Sequence, residues 1–184
     1  MFIQTEATPN PATLKFLPGQ AVMEMGTANF TTRDDATRSP MAIRLFDVSG
    51  VAGVFLGGDF ITATKAPDSD WDMLKPQILS AIMDHYTSGD VMVIEGAPTP
   101  SPDVEEDEDS VISQIKELIE TRVRPAVAQD GGDIIFHGFQ EGIVYLQMQG
   151  ACAGCPSSTA TLKHGIENML KYYVPEVQEV RPVE

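Results

Sequence analysis

Two small α+β domains joined by an acidic, proline-rich linker are the architecture the sequence predicts, and three observations predict it. The 184 residues suffice for one medium domain or two small ones. The stretch Gly96-Ala97-Pro98-Thr99-Pro100-Ser101-Pro102-Asp103-Val104-Glu105-Glu106-Asp107-Glu108-Asp109 carries three prolines and then an acidic run with almost nothing apolar to bury. On each side of it, segments with helical periodicity and segments with strand patterning occur together. The expected division is therefore a first domain over 1–96, a flexible linker over 97–109 and a second domain over 110–184.

In the first domain, Gln4 to Phe16 reads as two extended pieces around the turn Thr8-Pro9-Asn10-Pro11, closed by Pro18-Gly19. A helix is expected from about Pro40 to Phe46. A hairpin follows: Val51 to Leu56 and Phe60 to Lys65 flank Gly57-Gly58-Asp59, which is expected to supply the positive-φ positions of a tight turn. From Trp71 to about Tyr86, the residues Trp71, Leu74, Ile78, Ile82 and His85 share one helical face.

In the second domain, Ser110 or Asp109 can cap a helix with Val111, Ile112, Ile115, Leu118 and Ile119 inward, and Arg124-Pro125 disturbs its end. Asp130-Gly131-Gly132-Asp133 turns into the strand Ile134-Ile135-Phe136-His137. Gln140-Glu141-Gly142 links it to a strand with Val144, Leu146 and Met148 on one face. Pro156 suits the first turn of a helix that buries Leu162, Ile166, Met169, Leu170 and Tyr173. The expected order is α-β-β-α, with a short final strand near Val177 to Val180. No internal repeat is evident.

The bulk numbers exclude several classes. A formal charge of −15 argues against nucleic acid and anionic membrane as partners, because such binding rests on Lys and Arg. Residues 1–97 carry six basic and twelve acidic groups, residues 98–109 none and six, and residues 110–184 six and nine, so charge is densest in the linker. No apolar run approaches the ~20 residues of a membrane span, and the chain reads as soluble. The N-terminus has neither a secretory signal nor an Arg-rich presequence, which favours bacterial cytoplasm over the mitochondrial matrix.

Both cysteines of the chain, Cys152 and Cys155, lie within four residues, unlike the usage of a disulfide-stapled secreted domain. They sit on a glycine-bearing loop just before a helix, where unpaired N–H groups and the positive helix end favour thiolate. The two-residue spacer lets both sulfurs point to one side. Spacing alone fits a redox dithiol and a metal half-site about equally. Thioredoxin-like proteins place such a pair after the first strand of a βαβ unit, whereas an α-β-β order precedes it here, which moves the balance towards metal. Iron–sulfur clusters normally take about four thiolates, so one chain supplies half a site, and a symmetric dimer would complete it.

The run from Gly150 through Cys152-Ala153-Gly154-Cys155-Pro156 to Glu167, with Arg124-Pro125 to Asp130-Gly131-Gly132-Asp133 before it, resembles the C-terminal domain of the NifU-like (Nfu) family. Gln4 to Pro11, Leu14-Lys15-Phe16 and the stretch from Ser39 to Lys65 resemble the N-terminal domain that accompanies it. The resemblance covers nearly the whole chain outside the linker. It implies a non-enzymatic scaffold or carrier that holds a [4Fe–4S] cluster between two subunits, with Cys152 and Cys155 as ligands, and hands it to apo-proteins. A [2Fe–2S] form stays open, and upstream assembly proteins are implied as further partners. Two other readings stand beside it, a thiol-disulfide oxidoreductase and a structural zinc dimer.

Other polar residues receive structural roles. His164 is expected on a helix surface or dimer interface, and His85 and His137 carry no ligand signal. Asp130 and Asp133 read as turn residues lying next to the cysteine loop in space. Ser157, Ser158 and Thr159 fit helix capping or hydrogen bonding to sulfur about equally. The first domain has no recognisable site, and partner docking is its expected role.

Overall fold

The computed structural model describes residues 1–94, 110–153 and 156–183, with 156–158 as backbone alone. The chain folds as two compact units, Met1–Thr99 and Pro100–Glu184, both of α+β class. The interval read as a linker, 97–109, lies outside the described residues.

In the first unit, β1 (Gln4–Ala7) and β2 (Thr13–Leu17) form an antiparallel hairpin. Its turn is held by the Thr8 hydroxyl, which donates to the carbonyls of Asn10 at 2.8 Å and Thr13 at 2.9 Å. After β3 (Ala28–Phe30), α1 (Pro40–Phe46), β4 (Val51–Leu56) and β5 (Ile61–Lys65), the five strands make an antiparallel sheet in the order β1-β2-β5-β4-β3. The strand β3 was not anticipated, since three residues are too few to establish a period. The turn between β4 and β5 differs from expectation: neither Gly57 nor Gly58 takes positive φ. Gly57 instead makes room for the Phe60 ring, which a Cβ would meet at 2.5 Å.

Helix α1 starts where its sequence dictates. Ser39 Oγ accepts from the Ala42 N–H at 3.1 Å, and Pro40 occupies the first helical position, where it loses no hydrogen bond. The same hydroxyl donates to the Met92 carbonyl at 2.5 Å, and the Ile94 N–H donates to the Arg38 carbonyl at 2.7 Å. The chain leaving α2 (Trp71–Ser88) is thereby tied back to the start of α1. Helix α2 is capped by Asp70 and ends on Gly89 in the left-handed conformation. It buries Leu74, Ile78, Ile82 and His85 in a core shared with Phe16, Met41, Leu45, Leu56 and Ile61.

The second unit opens with α3 (Ser110–Leu118), which widens into a π-turn over Ile119–Val123 before α4 (Arg124–Gln129). The cause is Pro125, whose ring would clash with the carbonyl four residues back; the Arg124 N–H accordingly donates to the Ile119 carbonyl, five residues back. Strands β6 (Gly132–Gln140) and β7 (Ile143–Gly150) pair antiparallel through a two-residue turn, with Glu141 at φ 51 and Gly142 at φ 80. Helix α5 (Pro156–Tyr173) then crosses over, and β8 (Glu179–Val183) pairs parallel to β7, completing the order β6-β7-β8. Ile115, Ile119, Ile134, Val144, Leu146, Leu170 and Val180 form the core. Tyr173, expected inside, is 44% exposed; its ring lies edge-on to Tyr172 and beneath the Arg122 guanidinium, 4.9 Å away.

His85 is fully buried, and neither ring nitrogen has a hydrogen-bond partner. Burial, reinforced by Arg44, holds it below its ordinary 6.5, with Asp90 partly opposing. The folded state therefore keeps the ring neutral while the unfolded chain takes up a proton, so stability present above pH 6.5 is lost as pH falls below it. Melting of the first unit, followed calorimetrically at pH 7.5 and 5.5, should shift downward in acid, and His85→Leu should remove most of that shift.

Candidate functional site

Of the only two thiols of the sequence, Cys152 is placed by the end of β7. Gly150, at φ 63, bends the chain out of the strand, and the Ala153 N–H closes the bend onto the Gly150 carbonyl at 3.1 Å. Ala151 and Cys152 are turned inward, and Cys152 retains 5% of its surface. Cys155 lies outside the described residues, so the structure locates one member of the pair. Beyond the loop, Thr159 in the first turn of α5 donates its hydroxyl to the Cys152 carbonyl at 3.1 Å.

The turn between α4 and β6 forms the floor of the site. Gly131 takes φ 80, which L side chains adopt only under strain, and its carbonyl accepts from the Ala151 N–H at 3.1 Å. Gly132 pairs with Gly150 at the open end of the hairpin. A Cβ on Gly132 would fall on Cys152 Sγ, and would also lie 2.9 Å from the Gln149 carbonyl oxygen and 3.1 Å from Cys152 Cβ. The cysteine sulfur thus fills the space a side chain would need.

Asp133, the next residue, is 3% exposed and is held by Arg124. Arg124 Nε donates to Oδ1 and Nη2 to Oδ2, both at 2.8 Å, while Oδ1 also accepts from the Ile134 N–H at 2.8 Å. The remaining terminal nitrogen, Nη1, donates to Glu120 Oε1 at 2.7 Å. Asp133 is consequently a structural carboxylate, as its turn position suggested, and the Asp-Gly-Gly-Asp turn lies against the cysteine loop. His137 and His164 are exposed, and His85 belongs to the other unit. Among the described residues no three His, Cys, Asp or Glu side chains gather as a metal cluster.

Electrostatically the site reverses one expectation. In the metal-free chain the Cys152 thiol is pushed up to about 12, first by burial and then by the negative charges of Asp130 and Asp133. Both act against the thiolate that the helix end is expected to favour. Cys152 is therefore a protonated, shielded thiol at neutral pH, and a bound metal would displace its proton. Arg124 and Gly132 escaped the sequence reading as contributors to the site. A glycine doublet offers no side chain to notice, and an arginine nine residues before its aspartate follows no local spacing rule.

Two family models match the chain: "Scaffold protein Nfu/NifU N terminal" over residues 3–89 and "NifU-like domain" over residues 115–181. A human protein named NFU1 iron-sulfur cluster scaffold homolog, mitochondrial, is 53% identical over 184 residues, which is 100% of this chain and 72% of that protein. NifU-like protein 4, mitochondrial, of Arabidopsis thaliana is 52% identical over 98% of this chain and 65% of its own length. The chain thus spans about two thirds of the length of these relatives. Among solved structures, a NifU-like protein from Saccharomyces cerevisiae matches at 25% identity with a TM-score of 0.46, over 53% of this chain and 87% of that one.

These relatives overturn the bacterial-cytoplasm assignment, since proteins at about half identity from human and plant are named mitochondrial. The assignment rested on a missing presequence. The relatives are longer than this chain, so the residues at Met1 carry no information on compartment.

Gly132→Ala should force the β6–β7 end apart, because the Gln149 carbonyl is backbone and cannot swing away. A loss of about 1–3 kcal/mol from the second unit is expected. Calorimetry should show that unit's transition shifted down, and alkylation of Cys152 should accelerate.

Proposed function

The chain belongs to the Nfu/NifU family of iron–sulfur cluster scaffold proteins, and from that premise we propose that it carries a [4Fe–4S] cluster between two copies of itself and passes it to apo-proteins. The observation that carries this reading is the pair Cys152 and Cys155 as the chain's only thiols, one of them seated against the backbone of Gly132 at the mouth of the β6–β7 hairpin. Two thiols are half the set that a cluster normally takes. A second copy supplies the other half by symmetry.

The cluster is cargo, and the chain's own residues set how it is held. Cys152 and Cys155 would ligate it, and the Gly131–Gly132 turn keeps Cys152 fixed. Taking up iron removes the Cys152 proton, and releasing it returns a protonated thiol to a site whose burial favours that form. Cargo divided between two chains is easier to give up than cargo enclosed by four cysteines of one chain. Stepwise exchange onto the thiolates of an acceptor is the transfer step that follows.

The raised Cys152 thiol counts against the thiol-disulfide alternative, which needs a ready thiolate nucleophile. We therefore read the chain as a carrier and not an enzyme. The first unit, with no cysteine, is assigned to docking apo-clients or upstream assembly proteins, and 97–109 to the tether between docking and delivery. The compartment carried by the relatives' names, the mitochondrion, is the one we assign.

Anaerobic reconstitution with iron and sulfide decides the matter. About four irons per two chains and a dimeric mass in solution are expected, with Cys152→Ser plus Cys155→Ser binding none while remaining folded. A metal-free monomer, or a colourless zinc dimer, would refute the reading. So would activation of an apo-acceptor no faster than by free iron and sulfide.

A further inference from the structure

The Arg124–Asp133 pair has more geometry than stability requires. Arg124 lies inside a helix that runs on through the π-turn, its own N–H donating to the Ile119 carbonyl, so no free helix end is present for its charge to serve. A largely buried ion pair is seldom better for stability than apolar residues of similar volume. What a guanidinium supplies and apolar packing cannot is direction. All three of its nitrogens are engaged, Nε and Nη2 with the two oxygens of Asp133 and Nη1 with Glu120, so the plane of the group is fixed from both sides.

That direction is passed on along the backbone. Asp133 follows Gly132, whose missing side chain leaves the space that Cys152 Sγ fills. Gly131, one residue earlier, holds the Ala151 N–H at 3.1 Å. Asp133 is thus joined by one peptide bond to the residue that lies under the sulfur. The π-turn ahead of Pro125 brings the guanidinium to this place, since it shifts Arg124 relative to the regular helix of α3.

We propose that Arg124 is a positioning residue for Cys152: through its paired bonds to Asp133 it locks the Gly131–Gly132 turn against the cysteine loop, fixing the sulfur that the carrier reading assigns to the cluster. The proposal rests on that reading for the purpose of the fixed sulfur, though the fixing itself is a property of the metal-free chain. Lysine in this place would keep the charge and lose the two-pronged grip.

The test uses the full chain with Cys155→Ser, which leaves Cys152 as its single thiol. The rate of Cys152 modification by iodoacetamide is followed by mass spectrometry under native conditions. Arg124→Met and Arg124→Lys should each raise that rate about tenfold, because the turn then opens more often. Val127→Ala, which truncates a buried core residue of the same helix, controls for general loosening and should leave the rate within about a factor of three at matched fractional stability. A rate in Arg124→Lys as slow as with arginine would overturn the proposal, as would a Val127→Ala rate equal to that of Arg124→Lys. In the chain with both cysteines, Arg124→Lys should lose iron to a chelator faster than the parent. Absence of iron from the parent itself would defeat the carrier reading, while the alkylation contrast would still decide what Arg124 does.

Discussion

The close approach of Gly132 to the sulfur of Cys152 is the constraint on which the second unit is organised. It requires a residue without a side chain at the start of β6 and a bend at the end of β7. Beside the glycine stands a buried carboxylate, Asp133, held by two bonds from Arg124. Gly150 provides the bend at φ 63 and Gly131 the opposite turn at φ 80, and the hydrogen bond between Ala151 and Gly131 joins the two. The sheet behind them is ordinary: a two-residue hairpin, a right-sized crossover helix and a parallel third strand.

Burial at that point has a chemical consequence that the cysteine spacing conceals. A Cys-x-x-Cys pair before a helix invites the inference of a ready thiolate, and helix-end electrostatics does act in that direction. Loss of solvent and two nearby carboxylates act against it and raise the thiol. A thiol kept protonated is poorly nucleophilic and slow to oxidise, which suits a site that waits for cargo and ill suits one that turns over disulfides. A bound metal would reverse the balance, because coordination of the sulfur takes the place of its proton.

Much of this was legible in the sequence. The helix over Pro40–Phe46 follows from Ser39 and the proline after it, and the helix beginning at Trp71 from the spacing of Leu74, Ile78, Ile82 and His85. The hairpin of β6 and β7 and the helix starting at Pro156 were equally plain, because turn chemistry and periodicity there agree. What escaped had no local signature. The three-residue β3 is stabilised by its partner β4 and not by its own pattern. Tyr173 shares a helical phase with buried residues but is the last residue of its helix, where Val174 takes the buried place beside the core and Arg122 offers the tyrosine ring a partner. Gly57 looked like a turn glycine and is a packing glycine, a distinction made by a ring three residues away.

Residues that ligate and residues that place the ligands differ in how they can be found. Cysteines announce themselves by type and spacing, so Cys152 and Cys155 are conspicuous in any reading of the chain. Arg124, Gly132 and Asp133 act through distances that exist only after α4 has been set against β6, and each has an innocent local explanation: an end-of-helix arginine, a turn glycine, a turn aspartate. Their proposed joint effect is to fix one sulfur in a chain that, on the carrier reading, supplies half a ligand set. Immobility and incompleteness are complementary here. On the carrier reading, a thiol that wandered would let go of its share of the cargo at random, whereas a fixed thiol in an incomplete set would yield its share when other thiols arrive to take it.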